Sequence, residues 1–402
     1  MHDGVVGRDD DPQLRPAERL DVLEVGGSRG SGWPNRSWWW WLPLLLAAGV
    51  VAAVVTRAGS GRSPSASPTP PHPPTAARSS ASVEPAAGGL TSPAPLVTEV
   101  GHPLLGVAGG WELFGRAAAE VVRIEFARGR ITRTAVPALA STGPVSFVVG
   151  RGWAMVRPLD FVPGYIVPDG QPARALTGAL SRGGPALPGP GQASVWVPGG
   201  SDTAMVLVGA DGRATGASIT IPPGTIGNVQ PDGVGYLLLS DVGGVYDARP
   251  GGLRRVTTGP LLAVGPSRWL TLDCDDQHQC ATVVIDRGTG TRHVLDTTVD
   301  QPSGWPGLIS PDGGTAAVYE ADPAGVTTVH LLDLASGADR RVDVPIDRSF
   351  NDAPMAWSPD SRWLFVAGAA GRLFPVDAAT AQVRDLGRPL PPINQLAIRN
   401  TR

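Results

Sequence analysis

The clearest pattern in the chain lies near its C-terminus, where short, mostly apolar runs are separated by turn residues. Each run is bounded by Pro, Asp, Gly or small polar residues, which suit tight turns. Runs of four to six residues bounded in this way are typical of short strands. The segment Ala353–Gly387 is therefore predicted to hold four antiparallel strands. They cover Pro354–Trp357, Arg362–Val366, Arg372–Val376 and Gln382–Leu386.

Two markers repeat along the chain from Leu96 to its end. One is the residue that opens the second strand of each unit, and the other is a turn, mostly rich in Asp and Gly, between the third and fourth strands. They recur together with a period of about 42 residues. The first marker falls on Trp111, Trp153, Trp196, Tyr236, Trp269, Ala317 and Trp363. The repeats predict an all-β fold, a seven-bladed β-propeller of four-stranded antiparallel blades.

A short motif precedes the second strand in some units. It reads Ser-Pro-Asp-Gly in Leu308–Val318 and Ser-Pro-Asp-Ser in Ala356–Val366, with a weaker copy in Gln230–Leu238. These segments resemble the repeat of TolB-type, WD-repeat-like propellers, by motif in two or three blades and elsewhere by period. The resemblance implies a propeller, and propellers of this kind are mostly protein-binding scaffolds. We expect Asp312 and Asp360 to accept backbone N–H bonds in their own turns.

The ends of the repeat region predict how the ring closes. One more apolar strand, Pro391–Ile398, follows the last unit, whereas the first unit begins at Trp111 without a convincing first strand. We expect Asn394–Ile398 to complete the first blade, because this removes an open sheet edge. Pro103–Ala108 is the alternative for that place.

Three segments precede the propeller, which occupies residues 96–402. Residues 1–37 are polar with little periodicity and predict a disordered cytoplasmic tail. Residues 38–56 include the uncharged run Trp38–Val55, which as a helix reaches ~27 Å and has its tryptophans at one end. We predict an uncleaved transmembrane helix there. Residues 57–95 predict a disordered linker rich in Pro, Ser and Ala.

The apolar run has two alternatives, a cleaved signal peptide and a buried core helix. A long leader and the interruption by Arg57 favour an anchor over a signal peptide. Flanking arginines barely discriminate between the two orientations. The large domain follows the anchor and carries a cysteine pair, which suits an oxidising compartment. We therefore expect a single-pass cell-membrane protein with a cytoplasmic N-terminus and an extracytoplasmic C-terminal domain.

Composition narrows the function further. The chain has 53 Gly and 41 Pro among 402 residues, which fits frequent turns, and its net charge of −3 argues against a nucleic-acid partner. The sequence has no motif for phosphate, dinucleotide or catalytic zinc binding. We therefore expect no cofactor and no metal, and we expect His293 and His330 to be structural.

The predicted function is that of a membrane-anchored, non-enzymatic scaffold that binds a protein or a cell-envelope component. One alternative is a propeller enzyme, a hydrolase or lyase, whose catalytic residues come from several blades. Another is a transmembrane sensor whose cytoplasmic tail reports binding outside.

Cys274 and Cys280 end the second strand and begin the third strand of the fifth unit. Their places across a hairpin mouth predict a disulfide, which would stabilise the fold by about 2 kcal/mol. A metal site that adds Asp275 and His278 is one alternative, and free thiols are another.

Loops between second and third strands form one face of a propeller, and we expect partners to bind there because rigid blades hold these loops. They are Arg116–Glu120, Arg157–Pro163, Pro198–Asp202, Ser240–Gly243, Asp275–Gln279, Ala321–Gly325 and Ala367–Gly371. The second loop carries an aromatic and charged cluster, a composition enriched at interfaces. A Phe161 folded back on its blade is the alternative. The predicted binding residues are Arg157, Asp160, Phe161, Tyr165, Asp275, Asp276 and His278.

Overall fold

The computed structural model describes residues 93–137, 144–160, 163–241, 243–275, 277, 279–297, 306–321, 327–346 and 354–401. The chain divides into two compact units, Met1–Glu84 and Pro85–Arg402, and the described residues all belong to the second. The tail, the transmembrane helix and nearly all of the linker lie outside them and remain predictions. Within the described ranges, no helix is both long and apolar enough to cross a membrane.

The described residues form short strands that are mainly antiparallel. Sheet 1 has the order β1-β4-β3-β2-β29. Its strands are β1 (Leu96–Glu99), β2 (Trp111–Ala117), β3 (Glu120–Glu125), β4 (Arg130–Ala135) and β29 (Ile393–Asn400). Sheet 2 comprises β5 (Val145–Gly150), β6 (Trp153–Pro158), β7 (Tyr165–Pro168) and β8 (Arg174–Ala175). Sheet 3 comprises β9 (Leu187–Pro188), β10 (Ser194–Pro198), β11 (Ala204–Gly209) and β12 (Ala214–Thr220).

The other sheets follow in chain order. Sheet 4 comprises β13 (Val229–Pro231), β14 (Leu237–Asp241), β15 (Gly244–Arg249) and β16 (Gly252–Thr257). Sheet 5 has eight strands, β17 (Leu261–Val264), β18 (Arg268–Cys274), β19 (Cys280–Asp286), β20 (Arg292–Val294), β21 (Gly307–Ile309), β22 (Thr315–Ala321), β23 (Thr327–Asp333) and β24 (Asp339–Ile346). Sheet 6 comprises β25 (Met355–Trp357), β26 (Trp363–Ala367), β27 (Leu373–Asp377) and β28 (Gln382–Val383).

Short 3-10 helices lie in the connections between strands. They are Leu104–Gly106, Phe126–Arg128, Gly178–Ser181, Pro190–Gln192, Ile226–Asn228 and Ala369–Gly371. The fold of the described residues is thus an all-β propeller of four-stranded antiparallel blades.

The number of separate blades differs from the prediction. The repeats predict seven, whereas five blades stand as separate sheets of four or five strands. The strands assigned to two further blades form the continuous sheet 5, so the prediction of seven separate blades is wrong. The physical reason is a parallel ladder between β17 and β21, which pairs Ala263 with Gly307 and Val264 with Leu308. On either side of this ladder, four strands keep the antiparallel order of a blade.

Ring closure follows the sequence prediction. The C-terminal strand β29 pairs with β2 along its length, from Trp111 opposite Asn400 to Ala117 opposite Ile393. The expectation that Asn394–Ile398 completes the first blade is confirmed, and the alternative strand at Pro103–Ala108 is wrong. Sheet 1 also has a fifth, outermost strand that we did not predict, because β1 pairs with β4.

The core consists of apolar clusters between neighbouring sheets rather than one central cluster. Between sheets 6 and 1, for example, the rings of Trp111 and Phe126 lie with centroids 4.7 Å apart, and Phe365 packs on both. Most of the marker tryptophans are buried in such clusters, as shown by Trp196 and Trp269. Burial of large aromatic side chains explains why the marker residue recurs.

Candidate binding face

Sheet topology defines the candidate face. Successive strands in each four-stranded group are antiparallel. The connection from the second to the third strand and the connection to the next group therefore lie at the same end of the strands. The second-to-third connections span residues 118–119, 159–164, 199–203, 242–243, 275–279, 322–326 and 368–372. They match the seven predicted loops closely.

Arg157, near the end of β6, is buried beneath this face rather than displayed on it. Only 2% of the residue is exposed. Its guanidinium donates hydrogen bonds to the carbonyl oxygens of Arg182, of Gly183 at 2.8 Å and of Pro185 at 3.3 Å. Among the residues that the structure describes, the Nε atom has no hydrogen-bond partner. Burial lowers the pKa of Arg157 to about 10.

Further hydrogen bonds fix the segment from Arg182 to Ala186, which Arg157 contacts. The backbone N–H of Gly184 donates to the carbonyl oxygen of Leu159 at 2.7 Å. The N–H of Ala186 donates to Ser146 Oγ, on β5, at 2.9 Å. The segment is therefore held against β5, β6 and the start of the connection after β6.

Two glycines bring a third connection, between β10 and β11, against this segment. Gly184 has a φ of +96°, and a Cβ built there would lie 2.7 Å from the ring of Pro198. Gly200 also has a φ of +96°, and its Cβ would lie 3.4 Å from Nη1 of Arg182. Any larger residue would be strained at either position. We call the described residues of these three segments, 159–160 with 163–164, 182–186 and 198–203, the loop ridge.

The structure places the predicted cluster differently from the sequence analysis. Asp160 is exposed on the loop ridge. Tyr165 is half-buried and packs on the apolar cluster between sheets 1 and 2. Phe161 lies outside the described residues. Arg157 is not displayed at the surface, because its side chain turns inward and donates to the carbonyl oxygens of residues 182, 183 and 185. Its role in binding stays a prediction.

The hairpin between β18 and β19 carries the other predicted residues. Cys274 and Cys280 are cross-strand partners and are joined by a disulfide. Within the turn, the N–H of Asp275 donates to the carbonyl of Gln279 at 3.0 Å, and the N–H of Gln279 donates to Asp275 Oδ1 at 2.8 Å. Asp275 is exposed, whereas Asp276 and His278 lie outside the described residues.

The described members of the two predicted groups lie on different sheets. The loop ridge belongs to sheets 2 and 3, and the disulfide hairpin belongs to sheet 5. No group of His, Cys, Asp or Glu that could hold a metal ion occurs in the part of the chain that the structure describes.

The Ser-Pro-Asp turns have the predicted structural role. Asp312 accepts the N–H of Gly314 at 3.0 Å, and Asp360 accepts that of Arg362 at 3.2 Å. Burial acts to raise the pKa of Asp312, but hydrogen bonds from Ser310 and other donors outweigh it, so this pKa lies below its ordinary value. The expectation for both aspartates is confirmed.

His330 takes part in a cluster on β22, β23 and β24. Its Nδ1 lies 2.8 Å from Asp339 Oδ2, and its Nε2 lies 3.2 Å from Thr328 Oγ1. Glu320 Oε2 is 3.6 Å from the same Nε2. These partners satisfy both ring nitrogens, in keeping with the predicted structural role.

Sequence reasoning missed a buried ionic network at the closure of the ring. Arg399 Nε donates to Glu112 Oε2 at 2.8 Å, and its two Nη atoms reach Asp169 at 3.0 and 2.6 Å. Arg123 adds a contact to Glu112 at 2.5 Å. These residues come from opposite ends of the propeller sequence, so no local pattern connects them.

Comparisons with known proteins find solved structures that are similar in fold only. No family model matches the chain, and no curated protein matches it. A putative 6-phosphogluconolactonase from Bacteroides fragilis is 12% identical, with a TM-score of 0.43, over 72% of this chain and 98% of that chain. TolB from Acinetobacter baumannii is 14% identical, with a TM-score of 0.39, over 68% of this chain and 78% of that chain.

A third solved structure is the periplasmic gluconolactonase PpgL from Pseudomonas aeruginosa. It is 16% identical, with a TM-score of 0.41, over 72% of this chain and 98% of that chain. At such identities and TM-scores, these likenesses say nothing about what this chain binds or catalyses.

Proposed function

We propose that the chain is a membrane-anchored, extracytoplasmic β-propeller that binds a protein or cell-envelope component without catalysing a reaction. The observation that carries this proposal is the loop ridge, in which hydrogen bonds from Arg157 and Gly184 fix residues 182–185 and close packing places Pro198 and Gly200 against them. The anchor is the apolar segment Trp38–Val55, and the domain after it lies outside the cell membrane. No cofactor or nucleic acid takes part.

Preorganisation is the physical argument for binding. A surface loop loses conformational entropy when a partner orders it, and this loss weakens binding. In the loop ridge, Arg157 and the Gly184–Leu159 hydrogen bond already order the loops. The exposed charged residues Asp160, Arg182 and Asp202 can then contact a partner at a small entropic cost. Rigid strands under variable loops are a common basis for recognition.

Site-specific photo-crosslinking of the full-length chain in its native membrane tests the proposal. A photoreactive residue at Arg182 should capture a defined partner. The matched control is a photoreactive residue at Arg213, which is also exposed but lies in the turn between β11 and β12, at the opposite end of the strands. Equal capture from both positions, or none from Arg182, would contradict a binding site on the loop ridge.

A propeller hydrolase is the second candidate, because one cluster has the order of a nucleophile, a base and an orienting acid. Thr328 Oγ1, the His330 ring and Asp339 lie within hydrogen-bond distances of 3.2 and 2.8 Å. Thr328 is buried, however, and Glu320 competes for the same ring nitrogen. Labelling by a fluorophosphonate that disappears in Thr328→Val would favour this candidate over the scaffold.

A further inference from the structure

Buried arginines in this propeller differ in how their charge is balanced. Arg399 contacts the carboxylates of Glu112 and Asp169, and Arg287 contacts that of Asp232 at 2.5 Å. Arg157 is as deeply buried but donates only to three backbone carbonyl oxygens. Its positive charge therefore has no anionic partner among the residues that the structure describes.

An unbalanced buried charge is costly. Removing a guanidinium from water costs several kcal/mol, and hydrogen bonds to neutral carbonyl groups offset less of this desolvation cost than a carboxylate does. The Nε–H of Arg157 is also buried without an acceptor, which adds the cost of an unmade hydrogen bond. A cation held in this way beneath a surface gains more than an ordinary surface arginine from an incoming anion.

We propose that Arg157 is the receptor for a carboxylate on an acidic segment of the partner, an inference that rests on the proposed function. A carboxylate can bind side-on to an arginine through Nε–H and one Nη–H, and the Nε–H of Arg157 is free for this. The acceptors now on its Nη atoms all belong to one surface segment, residues 182–185. An anion displaces neutral carbonyls from this segment and forms the stronger, charge-assisted bonds.

The neighbouring charges favour an anion at this place. Arg182, whose own carbonyl contacts Arg157, is exposed on the segment that has to move. A partner carboxylate approaching that segment therefore meets two guanidinium groups in succession. Asp160 is exposed on the adjoining connection and selects against acidic groups that approach from that side.

The test is a titration of the full-length chain in detergent micelles, followed through arginine Nε–H signals in an NMR spectrum. The signal of Arg157 is assigned by its loss in Arg157→Lys. A blocked tetrapeptide of glutamate should shift this signal, whereas the same tetrapeptide of glutamine should not. Arg157→Gln should lower the affinity for the glutamate peptide by at least about tenfold. An unmoved Arg157 signal at saturating glutamate peptide would overturn the proposal.

Arg182→Gln is the matched control for surface charge. It should weaken glutamate-peptide binding by only a few-fold and leave the shift of the Arg157 signal in place. If Arg182→Gln abolishes binding while Arg157→Lys retains it, the peptide binds surface charge and the proposal is wrong. The wild-type titration gives this answer even where Arg157→Gln does not fold.

Photo-crosslinking separates this inference from the proposed function. With the photoreactive residue moved to Asp202, capture of the partner by the wild type but not by Arg157→Gln, both folded, supports both proposals. Equal capture by both leaves the scaffold in place and overturns the role of Arg157. No capture by any variant overturns the scaffold, while the peptide titration still decides whether Arg157 receives a carboxylate.

Discussion

Arg399 lies in sheet 1 and Arg157 in sheet 2, and these two buried arginines stabilise different parts of the propeller. Arg399 lies on the C-terminal strand and joins acids from sheets 1 and 2, with a further hydrogen bond to the carbonyl of Gly150. Arg157 lies within sheet 2 and holds carbonyl oxygens of a single surface segment. The ionic network of Arg399 connects two sheets of the ring, whereas the hydrogen bonds of Arg157 fix a surface segment.

Because the two arginines have different partners, their removal should affect different parts of the protein. Without Arg399, two carboxylates stay close together and partly buried with less positive charge between them. Without Arg157, no charged group is left unpaired, and the freed carbonyls lie in a segment that water can reach. Loss of a paired buried charge should therefore damage the fold, and loss of the unpaired one should chiefly change the face.

Removal of residues 393–402 tests how much ring closure, including the network of Arg399, contributes to stability. The truncated chain lacks Arg399 and the whole of β29, which exposes the edge of β2 and the apolar cluster beneath it. We expect no cooperative thermal unfolding by circular dichroism. A chain that lacks only Thr401 and Arg402 is the control and should unfold like the wild type. Cooperative unfolding of the longer truncation would show that closure is dispensable.

Arg399→Met should lower the free energy of unfolding by about 3–5 kcal/mol, the usual cost of removing one partner of a buried ion pair. Equilibrium urea unfolding measures the loss. Adding Glu112→Gln and Asp169→Asn should restore part of the stability, since both leftover carboxylates become neutral. No recovery in the triple variant would mean that packing, rather than charge, explains the role of Arg399.

Arg157→Met should lower the free energy of unfolding by less, about 2–3 kcal/mol, from the lost charge-assisted hydrogen bonds. The same urea experiment compares the two variants directly. A loss equal to that of Arg399→Met would remove the distinction between the two arginines. The backbone amide hydrogens of Gly183, Gly184 and Ala186 should exchange faster in this variant, and unchanged exchange would show that Arg157 does not hold the segment.

The disulfide hairpin gives a third kind of link, which is covalent. Replacing both Cys274 and Cys280 with Ser should lower the free energy of unfolding by about 2 kcal/mol, since the bridge closes a short loop. The effect should stay local, so cooperative unfolding should be retained. Both residues are exposed. Alkylation of both thiols in native protein prepared without reductant would show that the bridge is absent.

Acidification should produce the smallest of these changes in the stability of the fold. Hydrogen bonds from the backbone and side chain of Thr289 hold the pKa of Asp286 below its ordinary value, and the same bonds from Ser336 do so for Asp333. A lowered folded-state pKa stabilises the protein above the unfolded pKa of about 3.9, and this contribution is lost as the pH falls through the folded-state value. The urea midpoint should therefore be flat from pH 7 to about 5 and fall below pH 4. Asn at both positions should reduce that slope, and an unchanged slope would contradict the assignment.

Local patterns in the sequence were enough to predict most strands and turns. The period of the marker residues placed the second strands, and turn residues such as Asp312 and Asp360 behaved as expected. The closing strand was also predictable. The unit that begins at Trp111 lacked a first strand, and the strand at Pro391–Ile398 belonged to no unit. Each of these inferences needed only neighbouring residues or a simple count.

Long-range pairing limited the rest. Nothing in the composition of Ala263 or Leu308 indicates that their strands hydrogen bond and merge two units into sheet 5. The burial of Arg157 depends on carbonyl oxygens about 25 residues later, and a backbone acceptor leaves no signature in the sequence. The charge and the nearby aromatic residue instead suggested an exposed contact. Side-chain direction was the missing information.

The first and last strands of the described chain belong to the same sheet, and this affects the order in which the protein can form. Trp111 has to wait for Asn400, its partner across the sheet, to be synthesised. The later sheets draw on strands that are close in sequence and can assemble as they appear, whereas contacts between distant residues form slowly. Until residues 393–400 have left the ribosome, β2 presents an unpaired edge to any neighbouring chain. A premature stop at or before the codon for Ile393 would therefore harm the sheet that was made first.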